Sequence, residues 1–289
     1  MLRSTFLHVG GIGPWTETQL WRLGLSDWAA FRARREIPGV SPARKARWDA
    51  ELEHSEVALT ERSVGWFARR LPTLEHWRLY PEFRAETAFL DIETTSLSPY
   101  EGIVTVVTVH GGGATRSFTA NEDLPELPAY LRRFRILSTF NGLFFDVPFL
   151  QVAFPQWTPP PAHIDLRFVL RRLGYTGGLK RIEQELNLGR RTGVEGIRGL
   201  DAVRLWQEWR RGKREALELL VEYNRADTVN LEPLLEFAVG ELTRRLRSGP
   251  VLAPLERYAP ATEPPPGSDA RPPPAAPGSS SAAGPSTSG

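Results

Sequence analysis

Five residues stand out as able to do chemistry together. Asp91 and Glu93 lie two apart in Phe89-Leu90-Asp91-Ile92-Glu93-Thr94-Thr95. Side chains two apart on a strand share a face, so both carboxylates point one way while Leu90 and Ile92 point the other. Like charges side by side repel unless a cation lies between them or they sit at a solvated strand end. Asp146 follows the apolar run Leu143-Phe144-Phe145 and precedes Val147-Pro148-Phe149; taken alone it reads as a helix N-cap. Tyr223 and Asp227 are four apart, hence on one helix face. Asn224 and Asp227 continue the apolar stripe Leu217, Leu220, Leu231, Leu234 and Ala238, so they face inward, where a carboxylate needs a partner such as an Arg or a cation. Four carboxylates without Cys or a His cluster form an all-oxygen set, which suits Mg2+ or Mn2+ and excludes a thiolate zinc site. Two such ions about 3.5–4 Å apart can activate a water and stabilise the leaving oxygen of a phosphodiester.

The elements that must position these groups are legible as alternating strands and helices. Thr87–Ile92, Ile103–His110, Ala114–Thr119 and Ile136–Phe140 read as strands, with Gly111-Gly112-Gly113 as a hairpin turn. Helices are expected near Leu127–Phe134, Val147–Phe154, Leu166–Leu173, Leu179–Leu186 and Ala202–Arg210, and a long one from about Arg214 to Arg247. Three strands on short turns followed by strand–helix alternation indicate an α/β domain with a mixed sheet flanked by helices. Residues 1–80 read as a small helical region with helices over Trp15–Leu23, Ser26–Arg35, Pro42–Glu53 and Glu56–Arg70. The α/β domain is placed at 81–250. Residues 260–289, almost entirely Pro, Ala, Ser and Gly, are expected to be a disordered tail.

With 289 residues, 41% of them hydrophobic, the chain can bury a substantial core. It has 36 Lys+Arg against 34 Asp+Glu, so any nucleic-acid footprint must be a local patch. The absence of cysteine fits a cytoplasmic protein, and no apolar run reaches the length of about 18 residues that a membrane span requires. His8, His54, His76, His110 and His163 are scattered without metal-site spacing. Gly11-Ile12-Gly13 before Pro14 is either a tight packing turn or a phosphate-holding turn like the hairpin of helix-hairpin-helix DNA-binding motifs.

Taken in order, Asp91-x-Glu93, Asn141…Phe145-Asp146 and Tyr223-xxx-Asp227 resemble the DEDD superfamily of 3′–5′ exonucleases (DnaQ-like), with the Tyr–Asp spacing of its DEDDy subgroup. The set resembles most the YprB-type ribonuclease-H-like domain, through Trp77-Arg78-Leu79, Ile164-Asp165-Leu166, Gly178-Leu179-Lys180…Glu183 and Tyr223-Asn224…Asp227. Ser96 and Gly178 stand where that family usually has Gly and Ser. The resemblance implies an RNase H-like fold. It implies that Asp91, Glu93, Asp146 and Asp227 hold two divalent cations and that Tyr223 orients the attacking water. Thr94, Thr95 and Asn141 would meet the terminal nucleotide, and Lys180 a phosphate unless it is merely solvated. Asp165 is either a structural Asp at a strand end, the favoured reading, or a carboxylate behind the metal ligands. The expected activity is metal-dependent 3′–5′ hydrolysis of DNA or RNA, with an unpaired 3′ end as partner. A structure-specific endonuclease of the same fold and a non-catalytic nucleic-acid-binding protein are the alternatives. No protein partner is deducible.

Overall fold

The computed structural model of the chain describes residues 1–189 and 199–248. The expected tail at 260–289 lies outside the described residues. The elements run α1 (Pro14–Arg22), α2 (Trp28–Ala33), α3 (Pro42–Thr60), α4 (Val64–Ala68), β1 (Thr87–Thr94), β2 (Val104–Gly111), β3 (Ala114–Thr119), α5 (Leu127–Leu131), β4 (Ile136–Thr139), α6 (Asp146–Ala153), β5 (Ala162–Asp165), α7 (Leu166–Arg171), α8 (Leu179–Glu185), α9 (Gly199–Arg210) and α10 (Arg214–Ser248). Short 3-10 turns lie at Leu2–Ser4, Thr73–Leu79, Arg84–Glu86 and Leu124–Glu126.

The five strands form one mixed sheet in the order β3-β2-β1-β4-β5. β2 runs antiparallel to β1 and β3, while β1, β4 and β5 are parallel. This is the mixed α/β sheet that the strand and helix pattern implies. The triple glycine is a hairpin: Gly112 and Gly113 both have positive φ, 59° and 80°, as in a type I′ turn. Residue pattern alone places no strand over Ala162–Asp165, although the resemblance sets Asp165 at a strand end, where the structure has it. Those four residues follow Pro159-Pro160-Pro161 and run straight into α7, so they are too short to show a period.

Alternation along β1 assigns its two faces. Ala88, Leu90 and Ile92 join a core with Val107, Val109, Leu137, Phe149 and the start of α10. Phe89, on the face that carries Asp91 and Glu93, joins a second core with Ile136, Ile164 and the α10 residues Leu231, Leu234 and Ala238. The N-terminal residues Leu2, Phe6, Trp28, Phe31, Trp48 and Phe67 belong to that second core, so the helical segment packs on the sheet domain.

The helix boundaries of this segment differ from the expected ones. α3 continues through His54-Ser55 to Thr60 instead of stopping at Glu53. Ser55 is accommodated because its hydroxyl donates to Glu51 O and pairs with the buried His8 ring. The break comes at Arg62, which adopts φ 52°, and Ser63 N–H donates back to Ala58 O across it. His8 itself packs against Trp28, Trp66 and Phe67. Burial, then the charges of Arg70 and Arg78, push it down to about 3, so it is neutral.

Arg78 ties the start of the N-terminal segment to its end. It is almost wholly buried, donates through Nη1 to Glu17 Oε2 at 2.9 Å and to Thr5 Oγ1 at 2.6 Å, and through Nε to Glu75 Oε2 at 2.6 Å. Burial alone would weaken its charge, but Glu17 and Glu75 outweigh that and raise its pKa. Glu17 in turn accepts from Phe6 N–H and from Thr5 Oγ1. Replacing Arg78 by Met therefore leaves Glu17 buried without its cation. We expect a loss of about 3–5 kcal/mol in denaturant unfolding, and a loss below about 1 kcal/mol, the range of an exposed pair, would show that the network holds nothing together.

Candidate active site

β1 delivers the first two carboxylates past the end of its pairing with β4. The β1–β4 ladder covers only Thr87–Phe89 against Ile136–Ser138, so the strand runs on alone on that side through Asp91 and Glu93. A bulge between Glu93 and Thr94 shifts the β2 register just beyond them. α10 crosses the same face and brings Tyr223, Asn224 and Asp227, all buried. One carboxylate oxygen from each of Asp91, Glu93 and Asp227 lies within 4.8 Å of the other two. These three, with Phe140, Lys180 and Tyr223, line a cleft of about 340 Å³.

Asp146 is beside this group rather than in its lining. It is the first residue of α6 and 3% exposed. It is not the cap its position suggests, since Phe145 is the N-cap and no side chain caps this helix. The backbone N–H groups of Asp146 itself and of Ile92 favour its ionised form, which burial opposes. Its Oδ1 is buried with no hydrogen-bond partner among the described residues.

Electrostatics follow from this crowding. Asp91 reaches the cleft but is pushed well above the carboxylate range by burial, then by Asp146, Glu93 and Asp227, with the Asn224 amide opposing. Burial, then Asp227, raises Glu93 to about 8 against the pull of Lys180. Burial raises Asp146 to about 8, opposed by the two N–H donors. The Tyr223 hydroxyl is raised by burial, then by Asp227, Glu93 and Asp91. It accepts a hydrogen bond from Lys180 Nζ at 2.6 Å, and the ammonium lies 4.1 Å from the ring centroid. A cluster that must keep protons at neutral pH for want of positive charge, made of oxygen donors with one buried carboxylate oxygen unpaired, fits hard divalent cations.

The other expected site residues lie around this cluster or away from it. Thr94 Oγ1 donates to Ser96 O at 2.6 Å, and Thr95 Oγ1 accepts from Ile103 N–H at 3.0 Å, so both hydroxyls close the β1–β2 loop. Ser96 packs so tightly on Gly102 that a Cβ there would lie 2.8 Å from Ser96 N. Asn141 has φ 67°, donates its N–H to Asp165 and accepts from Arg167 Nη1. Asp165 also takes the N–H groups of Leu143 and Arg167, which pins the β4–α6 loop and caps α7. Gly11 and Gly13 do not line the cleft. Their turn joins the Leu2–Ser4 3-10 turn, not a second helix, to α1. It docks on α3, where Glu51 accepts from Gly10 N–H at 2.7 Å and Trp48 Nε1 donates to Gly10 O at 2.9 Å. Arg47 Nη2 donates to the same Gly10 carbonyl at 3.3 Å and lies 4.0 Å from Glu51 through Nε, so the turn is flanked by both charges.

One residue was not among the expected site groups. Asn224 Nδ2 donates to Asp91 Oδ2 at 2.7 Å. The signal available in the sequence is a neutral amide on an apolar stripe, between Tyr223 and Asp227.

No curated protein matches the chain. Among solved structures, the fold is similar to the family B DNA polymerase of Pyrobaculum calidifontis (TM-score 0.43, 16% identity, 53% of this chain and 25% of that one). It is similar to the Mg2+-bound NrnC of Brucella melitensis (TM-score 0.41, 21% identity, 57% and 78%) and to the EXO domain of Aedes aegypti Nibbler (TM-score 0.40, 11% identity, 60% and 91%). The chain thus spans a quarter of the length of the polymerase. Residues 88–239, more than half of the chain and the stretch from β1 into α10, match the family described as the RNase_H superfamily. The chain belongs to the RNase_H superfamily.

Proposed function

We propose that this protein is a metal-dependent nuclease that hydrolyses phosphodiester bonds of DNA or RNA from an unpaired 3′ end. The observation that carries the reading is the meeting of Asp91, Glu93 and Asp227 oxygens within 4.8 Å at a cleft that also presents Tyr223 and Lys180. Asp91, Glu93, Asp146 and Asp227 would hold two divalent cations, Mg2+ or Mn2+, which when bound supply a more acidic water and neutralise charge at the leaving oxygen. The raised pKa of Tyr223 makes its hydroxyl a hydrogen-bonding group and not a base at neutral pH. Its place four residues before Asp227 aims it at the nucleophile. Lys180, in the cleft lining and bonded to Tyr223, is the cation available to a non-bridging phosphate oxygen. Thr94, Thr95 and Asn141 shape the rim through the loop bonds described above and are proposed to border the terminal nucleotide.

Single-stranded DNA and RNA labelled at either end, incubated with Mg2+, Mn2+ or EDTA, test the assignment. We expect mononucleotide release from the 3′ end with metal and none with EDTA. Asp227→Ala is expected to abolish hydrolysis while its metal-free melting temperature holds or rises, since one member of a repelling cluster is gone. Tyr223→Phe is expected to lower turnover by about 10²–10⁴-fold; full activity in either variant overturns the role of the residue replaced.

The same cluster dictates a pH dependence of stability. In the unfolded chain, carboxylates and histidines are deprotonated above about pH 6.5. In the fold, Glu93 and Asp146 keep protons up to about 8. The folded state therefore binds more protons, and stability falls as pH rises through that value. His8, near 3, and His163, near 4, act with the opposite sign, but only below about 6.5, the unperturbed histidine value. In EDTA, the melting temperature is expected to drop between about pH 6.5 and 9, a window set by these values. Glu93→Gln should flatten the drop, and Mn2+ should remove it. A melting temperature that is flat or rising over this window in EDTA contradicts a proton-holding cluster.

A further inference from the structure

We propose that Asn224 is a positioning residue of the carboxylate cluster, its side-chain amide fixing the orientation of Asp91 and hence the oxygen that Asp91 presents to a divalent cation. The proposal rests on the metal-dependent reading above. Asn224 is 0% exposed and occupies the stripe on which Leu220 and Leu231, also fully buried, pack against the sheet. A leucine would fill such a place without any polar group to satisfy. The amide there makes one side-chain hydrogen bond, Nδ2 to Asp91 Oδ2 at 2.7 Å, across 133 residues of sequence. Its Oδ1 is buried with no hydrogen-bond partner among the described residues. Packing alone does not explain a group that brings an unpaired oxygen into the core.

What the amide supplies is direction without charge. Turned the other way, it would set its oxygen against an oxygen of the ionised Asp91, the form that can hold a cation, two acceptors face to face. The orientation is therefore fixed, and with it the rotamer of Asp91: Oδ2 is engaged by Asn224, and Oδ1 is the oxygen left for the cluster. An Arg or Lys at this position would hold Asp91 more strongly, but its positive charge would oppose a cation among Asp91, Glu93 and Asp227. A neutral donor orients the carboxylate and leaves its negative charge available, which is how hydrogen bonds from outside a ligand set tune metal sites. Thr228, one turn on, provides the contrast. It is equally buried, but its hydroxyl donates only to the Asn224 carbonyl, a bond internal to the helix.

Mn2+ titration of the full chain by calorimetry, with the metal-free melting temperature measured alongside, tests the proposal on Asn224→Leu, Asn224→Ala and Thr228→Ala. The expected result is Mn2+ binding weakened about 10–100-fold in both Asn224 variants, with Asn224→Leu keeping the metal-free melting temperature of the parent and Thr228→Ala keeping its Mn2+ affinity. The alanine variant carries the test if the leucine variant does not fold. Unchanged Mn2+ affinity in the Asn224 variants overturns the positioning role while the metal site stands, and so does an equal loss in Thr228→Ala, which would make the effect one of helix packing. Failure of the parent protein to bind Mn2+ overturns the metal-dependent reading, and this proposal with it.

Discussion

Mutual repulsion among buried carboxylates is the constraint around which this molecule is organised. Asp91, Glu93 and Asp227 converge, Asp146 adds its charge from the side, and burial makes each ionisation costlier. Without a metal, the fold answers by keeping protons on the cluster and by the small offsets that Lys180, Asn224 and the Ile92 N–H provide. None of these is as strong as a divalent cation would be. A cluster of this kind concentrates instability at one place and must be held there by the surrounding packing.

That packing comes from two elements that meet at the right places for simple reasons. β1 is buried on both faces, so its alternation is enforced, and a slip of one residue would exchange Asp91 and Glu93 with Leu90 and Ile92. α10 carries leucines on both sides of Asn224 and Asp227, and these anchor the helix in both cores, leaving its polar middle opposite the free end of β1. The Arg78 network and the aromatic packing of the N-terminal segment thicken the core behind Phe89. The β4–α6 loop is fixed by Asp165, which commits its oxygens to three backbone N–H groups and so determines where Asp146 begins its helix.

Much of this was readable in the chain because it rests on period. The two-residue repeat of β1 and the three-to-four-residue stripe of α10 each place their carboxylates on a face without knowledge of the partner, and the mixed sheet follows from the order of elements. What could not be read depends on register and tertiary contact. Asp146 looks like a helix cap until the fold sets it at the first position of α6, buried beside β1 and with Phe145 as the N-cap. β5 is too short to have a pattern. The Gly11-Ile12-Gly13 turn has the local form of an anion site, but only the fold brings Glu51 and Trp48 against it. Asn224 was visible as a polar residue on an apolar stripe, yet its partner lies on a strand far away in sequence. Ser55 does not end α3 because His8 and Glu51 bind its hydroxyl.

Anomalous diffraction from crystals soaked in Mn2+ tests the central claim most directly. Two peaks are expected about 3.5–4 Å apart, the spacing of a two-metal hydrolytic site, among Asp91, Glu93, Asp146 and Asp227, with the carboxyl groups deprotonated around them and Lys180 still against Tyr223. Peaks elsewhere on the molecule, or none at the cluster under conditions in which the protein stays folded, would contradict it.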